Sequence, residues 1–317
     1  MHSILLIVTG LILFLYALNN LSDGLKQLSG GKLNAFLDRF TSNVFSGILT
    51  GTIVTILLDS SSVVIIMTIA LVNSRAMTFK QAMGVVMGAN IGTTVSSQIF
   101  ALNVGEYAAL PILAGFLLMV IHKNALYKSI GRVLLSFGLI FFGLFTIEEA
   151  VQPLKNSNYF IGWLQSLENT WKGMTTGAIV TIVVQSSSAT VGMVIGLANQ
   201  GVMSITAGIA VMLGAELGTC ADTLVASIGR TRAAIRTGLF HLLFNVITIF
   251  LGMILLPWFS EFVLYLSQGA NAARTIANAH MLFNTLGVVV MLPFLPLYER
   301  LLTLLLPQKP EAVGSPG

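Results

Sequence analysis

Thr50-Gly51-Thr52-Ile53-Val54-Thr55-Ile56-Leu57-Leu58-Asp59-Ser60-Ser61-Ser62 recurs 126 residues later as Thr176-Gly177-Ala178-Ile179-Val180-Thr181-Ile182-Val183-Val184-Gln185-Ser186-Ser187-Ser188. The register continues without a gap through Asn73 over Asn199 and Met77 over Met203. It reaches Gly88-Ala89-Asn90-Ile91-Gly92-Thr93-Thr94 over Gly214-Ala215-Glu216-Leu217-Gly218-Thr219-Cys220. Across residues 50–94 and 176–220, 19 of 45 positions are identical, including serines and glycines that shared hydrophobicity does not match. The chain is an internal duplication, and in membrane transporters duplication locates the site. A weaker echo, Gly10-Leu11-Ile12-Leu13-Phe14 against Gly138-Leu139-Ile140-Phe141-Phe142, precedes each copy at a slightly different offset.

Around the duplication, charge is scarce. Only 9% of the 317 residues are charged and 55% are hydrophobic, where a soluble domain carries roughly 25% charge. The chain therefore reads as an all-α polytopic membrane protein. Its 16 Lys and Arg sit in short breaks between apolar runs, so they are topology determinants rather than a nucleic-acid surface. The first run, Ser3 to Leu18, has no basic residue before it and no small-residue cleavage site after it, and is expected to be a retained span. Cys220 is the single cysteine, which excludes an intrachain disulfide.

The runs flanking each serine triplet are short. Arms of 11 to 17 residues reach only ~16 to 25 Å against a hydrocarbon core of ~30 Å. Each pair is expected to be a re-entrant hairpin whose tip stops inside the membrane. About seven full spans remain. The expected organisation is repeat 1 over 1–126, with a first span, hairpin 42–74, a broken span 79–102 and a span 107–122. An inverted repeat 2 over 127–256 holds span 131–149, hairpin 174–201, broken span 204–228 and span 235–256. A C-terminal span with an interfacial segment fills 257–306, and a polar tail 307–317.

Positive charges support hairpins. With both hairpins re-entrant, Lys26, Lys32, Arg39, Arg75, Lys80, Lys123, Lys128, Arg132, Arg230, Arg232, Arg236, Arg300 and Lys309 share one face. Lys155, Lys172 and Arg274 take the other, a split of 13 to 3, whereas single crossings give 10 to 6. The positive-inside rule then places the N-terminus outside and the C-terminus in the cytoplasm. Three crossings separate equivalent points, so the repeats are inverted, with tips expected to meet near the midplane.

A helix that starts inside a membrane offers unpaired backbone N–H groups and the positive end of its dipole, an anion site without Lys or Arg. The first serine of each triplet suits an N-cap, and its neighbours offer hydroxyls to an anion or a small cation. Gly88 to Thr94 and Gly214 to Cys220 are expected to break their helices and expose carbonyls. Asp59, Glu216 and Asp222 lie at membrane depth, where an ionised acid requires balance. Their repeat mates Gln185, Asn90 and Ser96 are neutral, which points to cation or proton handling at Asp59 and Glu216. The pairs His241/Asn245 and His280/Asn284 each put His and Asn one helical turn apart. They read as interhelical hydrogen-bonding groups, with a gate or proton relay, to which Asp222 would also belong, as the other possibility.

The duplicated Gln/Asp-Ser-Ser-Ser, each followed about 25 residues on by Gly-Ala-Asn/Glu-Ile/Leu-Gly-Thr, together with the His-x-x-Phe-Asn pair, resembles the type II sodium/phosphate cotransporter family from about Gly10 to Asn284. The resemblance implies inorganic phosphate at Ser60, Ser61, Ser62, Ser186, Ser187, Ser188, Asn90 and Thr93. It implies Na⁺ as coupling ion near Gln185, Thr94 and Thr219, to which the charge asymmetry of the repeat adds Asp59 and Glu216 as candidate cation-binding residues. Three positions depart from the family pattern: Asp59 replaces Gln, Glu216 replaces Asn, and Cys220 replaces Thr. Some relatives carry a PhoU-like helical domain, which is expected to be absent here because the sequence turns polar after Pro307.

The expected function is Na⁺-coupled phosphate symport by alternating access in a bacterial plasma membrane, with no cofactor and with a homodimer implied by the resemblance. The alternatives are H⁺-coupled phosphate transport, Na⁺-coupled transport of another oxyanion, and an anion channel. An intramembrane serine hydrolase is set aside, because both repeats keep three adjacent serines where catalysis needs one activated nucleophile.

Overall fold

Long apolar stretches punctuated by Asn, Ser and Thr caps fold into helices throughout the described residues. The computed structural model describes residues 2–28, 36–37, 40–102 and 104–307. Lys32, Arg39, Lys309 and the tail beyond Pro307 lie outside them. In chain order come α1 (His2–Leu28), α2 (Val44–Leu58), α3 (Ser61–Asn73), α4 (Phe79–Phe100), α5 (Ala109–Ile121), α6 (Ala125–Val151) and α7 (Asn158–Ser166). Then follow α8 (Thr170–Val184), α9 (Ser187–Asn199), α10 (Ile205–Ser227), α11 (Arg232–Ile254), α12 (Leu256–Leu266), α13 (Ala272–Met291) and α14 (Leu295–Leu305).

The duplication is reproduced cap by cap. Asn43 and Asn169 cap α2 and α8, accepting from the backbone N–H of Ser46 at 3.0 Å and Lys172 at 3.1 Å. Thr78 and Ser204 cap α4 and α10 in the same way. The second arms α3 and α9 both end through a left-handed residue, Arg75 at φ 65 and Gly201 at φ 68. Each of these pairs is 126 positions apart.

Among the described residues, five helical stretches are long and apolar enough to cross a membrane: His2–Leu28, Ala125–Asn156, Ile205–Ser227, Arg232–Ile254 and Ala272–Leu305. Phe79–Phe100 with Gly105–Ile121 forms a pair bent by 78° that raises the number to six. This falls short of the seven expected, because residues 107–122 supply only a 13-residue helix, α5, about 20 Å long at 1.5 Å per residue. Apolar side chains such as Leu5 and Ile12 on α1 and Leu110, Val120 and Ile121 on α5 stand exposed, the surface of a chain solvated by lipid.

The expected breaks at Gly88–Thr94 and Gly214–Cys220 do not exist. α4 and α10 run straight through both motifs as continuous helices of 22 and 23 residues. Their glycines instead bring the first hairpin arms into backbone contact. A Cβ at Gly88 would lie 2.0 Å from the Ile48 carbonyl oxygen, and one at Gly214 would lie 1.9 Å from that of Met174. Gly51 against Val85 and Gly177 against Val211 complete the two seams from the other side. In a membrane, where apolar burial drives helix association weakly, small residues permit the close packing that holds helices together. The same composition that lowers helix propensity in isolation therefore marks a docking face.

The remaining packing crosses the repeats. α3 contacts both α4 and α10, α9 contacts both α10 and α4, and α11 and α13 flank this centre. α1, α5 and α6 form a bundle at one side, joined through Gly10 against Gly143 and Gly115 against Gly131.

Candidate functional site

Each hairpin tip is a reversal fixed by one left-handed residue and one cap. Asp59 ends α2 at φ 52 and ψ 32, and Gln185 ends α8 at φ 57 and ψ 31. Ser60 and Ser186 follow in extended conformation and accept from the backbone N–H of Val63 at 3.3 Å and Ala189 at 3.1 Å. A non-glycine residue in the left-handed region is uncommon and is held there by its surroundings. Two chemically different residues share the conformation because the reversal requires it. Beyond the caps, the N–H groups that open α3 and α9 have no carbonyl one turn earlier to bond, which leaves donors for an anion beside Ser61, Ser62, Ser187 and Ser188.

The two tips are held differently. At the first, Ser96 of α4 donates its hydroxyl proton to the Asp59 carboxylate. Ser62 donates to Asp222 Oδ2 of α10 at 2.8 Å. Ser96 and Asp222 occupy equivalent repeat positions, so the first tip is gripped from both halves at once. At the second tip the grip is internal: Thr181 and Thr190 hydroxyls bond at 2.7 Å, joining α8 to α9, and Gln185 is exposed. In the first hairpin Val64 replaces that second threonine, and Thr55 Oγ1 is buried without a partner among the described residues.

Around the tips lies a buried polar layer. His280 Nδ1 lies 2.6 Å from Ser97 Oγ, and His241 Nδ1 lies 2.8 Å from Thr223 Oγ1. Ser97 and Thr223 are again 126 apart, so α13 and α11 dock on the two copies in matching ways. The second ring nitrogens differ. His280 Nε2 meets Glu216 Oε1 at 2.8 Å with both side chains buried. His241 Nε2 faces the Asn245 amide at 3.1 Å and Cys220 Sγ at 4.0 Å. Asn90 donates to Asn245 Oδ1 at 2.8 Å, and Asn245 in turn donates to the Glu216 carbonyl at 3.2 Å. A buried carboxylate needs a partner to remain stable, and Glu216 has an imidazole.

The structure thus gathers Asp59, Ser60, Ser61, Ser62, Asp222 and Ser96 at one tip, and Asn90, Glu216, His241, Asn245 and His280 in the layer beside it. Ser187 and Ser188 are buried at the second tip. Thr93 is buried, and its hydroxyl has no partner among the described residues. Thr94 and Thr219 do not present hydroxyls beside freed carbonyls as expected: they bond Ile91 O at 2.7 Å and Ala215 O at 3.1 Å within their own continuous helices. Asn284 donates to His280 O at 3.2 Å. Ser96, Ser97 and Thr223 were not among the residues assigned from sequence. Their signal was present as hydroxyls or a carboxylate at matched positions two and three residues past the identical block, where amino-acid identity had stopped.

Comparison with known proteins also divides the chain in two, at a later boundary than the 126/127 division of the repeats. The family described as Na⁺/Pi-cotransporter matches twice, over residues 13–149 and 150–291. "Uncharacterized protein YqeW" of Bacillus subtilis (strain 168) is 29% identical over 308 residues, 96% of this chain and 99% of that protein. "Putative inorganic phosphate export protein YjbB" of Escherichia coli (strain K12) is 25% identical over 317 residues, 98% of this chain but 57% of that protein. "Sodium-dependent phosphate transport protein 2A" of Oryctolagus cuniculus is 38% identical over 100 residues, 31% of this chain and 15% of that protein. No solved structure gives a significant match.

Proposed function

The chain belongs to the Na⁺/Pi-cotransporter family, and from that premise we propose a secondary active transporter that couples Na⁺ to inorganic phosphate. Phosphate is bound between the hairpin tips, on the N-termini of α3 and α9 and the hydroxyls of Ser61, Ser187 and Ser188, while the Ser62 hydroxyl donates to Asp222. Na⁺ is the second substrate, and Asp59 is the residue best placed to balance it. Thr93, with its orphaned hydroxyl, and Asn90 line the adjoining layer. The single observation that carries this reading is the pair of serine tips with matching caps and backbone angles, each opening a second arm that packs against both repeats. One anion held by two equivalent tips can be released toward either side as the halves exchange arrangements.

In this reading the hairpins are re-entrant and inverted, with the N-terminus outside, the C-terminus in the cytoplasm, and the protein in the plasma membrane as a homodimer. The 15- and 13-residue arms extend about 22 and 20 Å, which supports tips ending within the bilayer. No residue is assigned a catalytic role. A second reading, favoured by the printed name of the Escherichia coli relative, is net phosphate export through the same site. The test is uptake of labelled phosphate into proteoliposomes with Na⁺ and pH gradients imposed separately. Uptake driven by Na⁺ alone supports symport. Flux that ignores both gradients and does not saturate points to a channel.

A further inference from the structure

The carboxylate gripping the first tip is poorly suited to an anion site unless something lies between it and the anion. Asp222 reaches across from the opposite repeat to accept the Ser62 hydroxyl proton at 2.8 Å. It is half-buried, its other oxygen has no hydrogen bond among the described residues, and its repeat mate is the neutral Ser96. A second carboxylate, Asp59, stands on the same tip and is bonded by Ser96. As an ionised acid, Asp222 can only accept hydrogen bonds. Facing a fully deprotonated oxyanion it would set charge against charge, in surroundings where such pairs are weakly screened.

An oxyanion that carries its own proton reverses this interaction. At neutral pH phosphate and arsenate retain at least one O–H, and sulfate has none. Resting on the phosphate reading above, we propose that Asp222 is the specificity-determining residue of the site, accepting a hydrogen bond from the substrate O–H and rejecting oxyanions that lack one. Ser62 uses its proton to position the carboxylate, and Ser61, Ser187, Ser188 and the backbone N–H groups of both tips, which donate to any oxyanion, supply affinity without this discrimination. A site built around a polar acceptor shielded from solvent by the bound ligand rejects ligands that leave it unpaired more strongly than an apolar pocket rejects a change of shape. Asp222 also stands near the first turn of α3, where a carboxylate stabilises a helix. A purely structural role of that kind would alter phosphate affinity and leave the choice between anions unchanged.

The experiment is competition against labelled phosphate uptake in proteoliposomes, with unlabelled arsenate and sulfate as competitors. In the wild type arsenate should compete and sulfate should be weaker by on the order of 100-fold. Asp222→Asn, whose amide can donate to sulfate, should narrow that gap about tenfold or more while phosphate uptake persists at a reduced level. Asp222→Ser, which copies the repeat mate, provides a second variant of a type the fold already holds at the equivalent position. Wild-type uptake inhibited equally by sulfate and arsenate would overturn the proposal even if neither variant folds. So would an unchanged sulfate-to-arsenate ratio in a variant that transports phosphate. No phosphate uptake by the wild type under any gradient overturns the phosphate reading itself, which is a separate and recognisable failure.

Discussion

Gly214→Ala separates the two physical roles that glycine could have in the repeated motif. In an ordinary helix interior this change stabilises by about 0.8 to 1.0 kcal/mol, because alanine is the better helix former. If Gly214 served to break α10, alanine would straighten the helix and raise stability. The structure gives the opposite sign. The added Cβ would lie 1.9 Å from the Met174 carbonyl oxygen, 2.7 Å from its carbon and 2.9 Å from the Ala178 nitrogen, all backbone atoms that cannot rotate aside. To restore even a 3.0 Å contact, α8 must retreat by about 1 Å. Overpacking of this kind costs roughly 1 to 3 kcal/mol, so it outweighs the propensity gain. Because α8 carries Gln185 at its end and leads directly into Ser186, the retreat displaces the second tip. A misplacement near 1 Å in a binding constellation lowers activity about 100-fold. The assay is thermal unfolding of the purified protein alongside phosphate uptake in proteoliposomes. Gly162→Ala, where nothing lies within 4 Å of the added carbon, is the control. A Gly214→Ala variant with unchanged or raised melting temperature and wild-type uptake would refute the seam.

Ser61→Ala or Ser187→Ala alone should weaken phosphate binding by about 1 to 2 kcal/mol, because backbone donors remain, and the double variant should lose nearly all uptake; wild-type transport by the double variant at matched expression would exclude the tips as the site. Asp59→Gln should fold, since Gln185 already occupies the same left-handed conformation, and should change how phosphate affinity rises with Na⁺ concentration, read from binding across a Na⁺ series at fixed pH. An identical Na⁺ dependence in the variant would reduce Asp59 to the residue that closes α2. A cysteine at Lys128 or Arg232 on a Cys220→Ser background should resist an impermeant thiol reagent added outside intact cells, and one at Gly269 should react. The reverse pattern would swap the faces to which the hairpins open.

The sequence by itself determined the helical membrane class, the duplication at 126 residues, the position of both tips and the short reach of their arms. These are local properties. Hydrophobic run length, cap residues and repeated identity are written in consecutive positions, and Ser60 and Ser186 act as caps wherever the rest of the chain lies. Tertiary structure alone decided what the glycines and acids do. Gly88 and Gly214 are weak points in a lone helix and contact faces once α2 and α8 lie against them, and only the docked backbone distinguishes the two. Glu216, a candidate cation ligand in the sequence, acquires a partner that the sequence did not show: α13 brings His280 from 64 positions away to 2.8 Å. Asp222 gained its place at the first tip through Ser62, 160 positions earlier. The two serine triplets are identical in sequence and unequal in setting: one tip is hydrogen-bonded from both repeats, and at the other Thr181 and Thr190 tie the hairpin's own arms together. Periodicity and motif spacing describe neighbours along the chain, whereas the partner of a buried polar group is chosen by which helices the packing of small residues allows to touch.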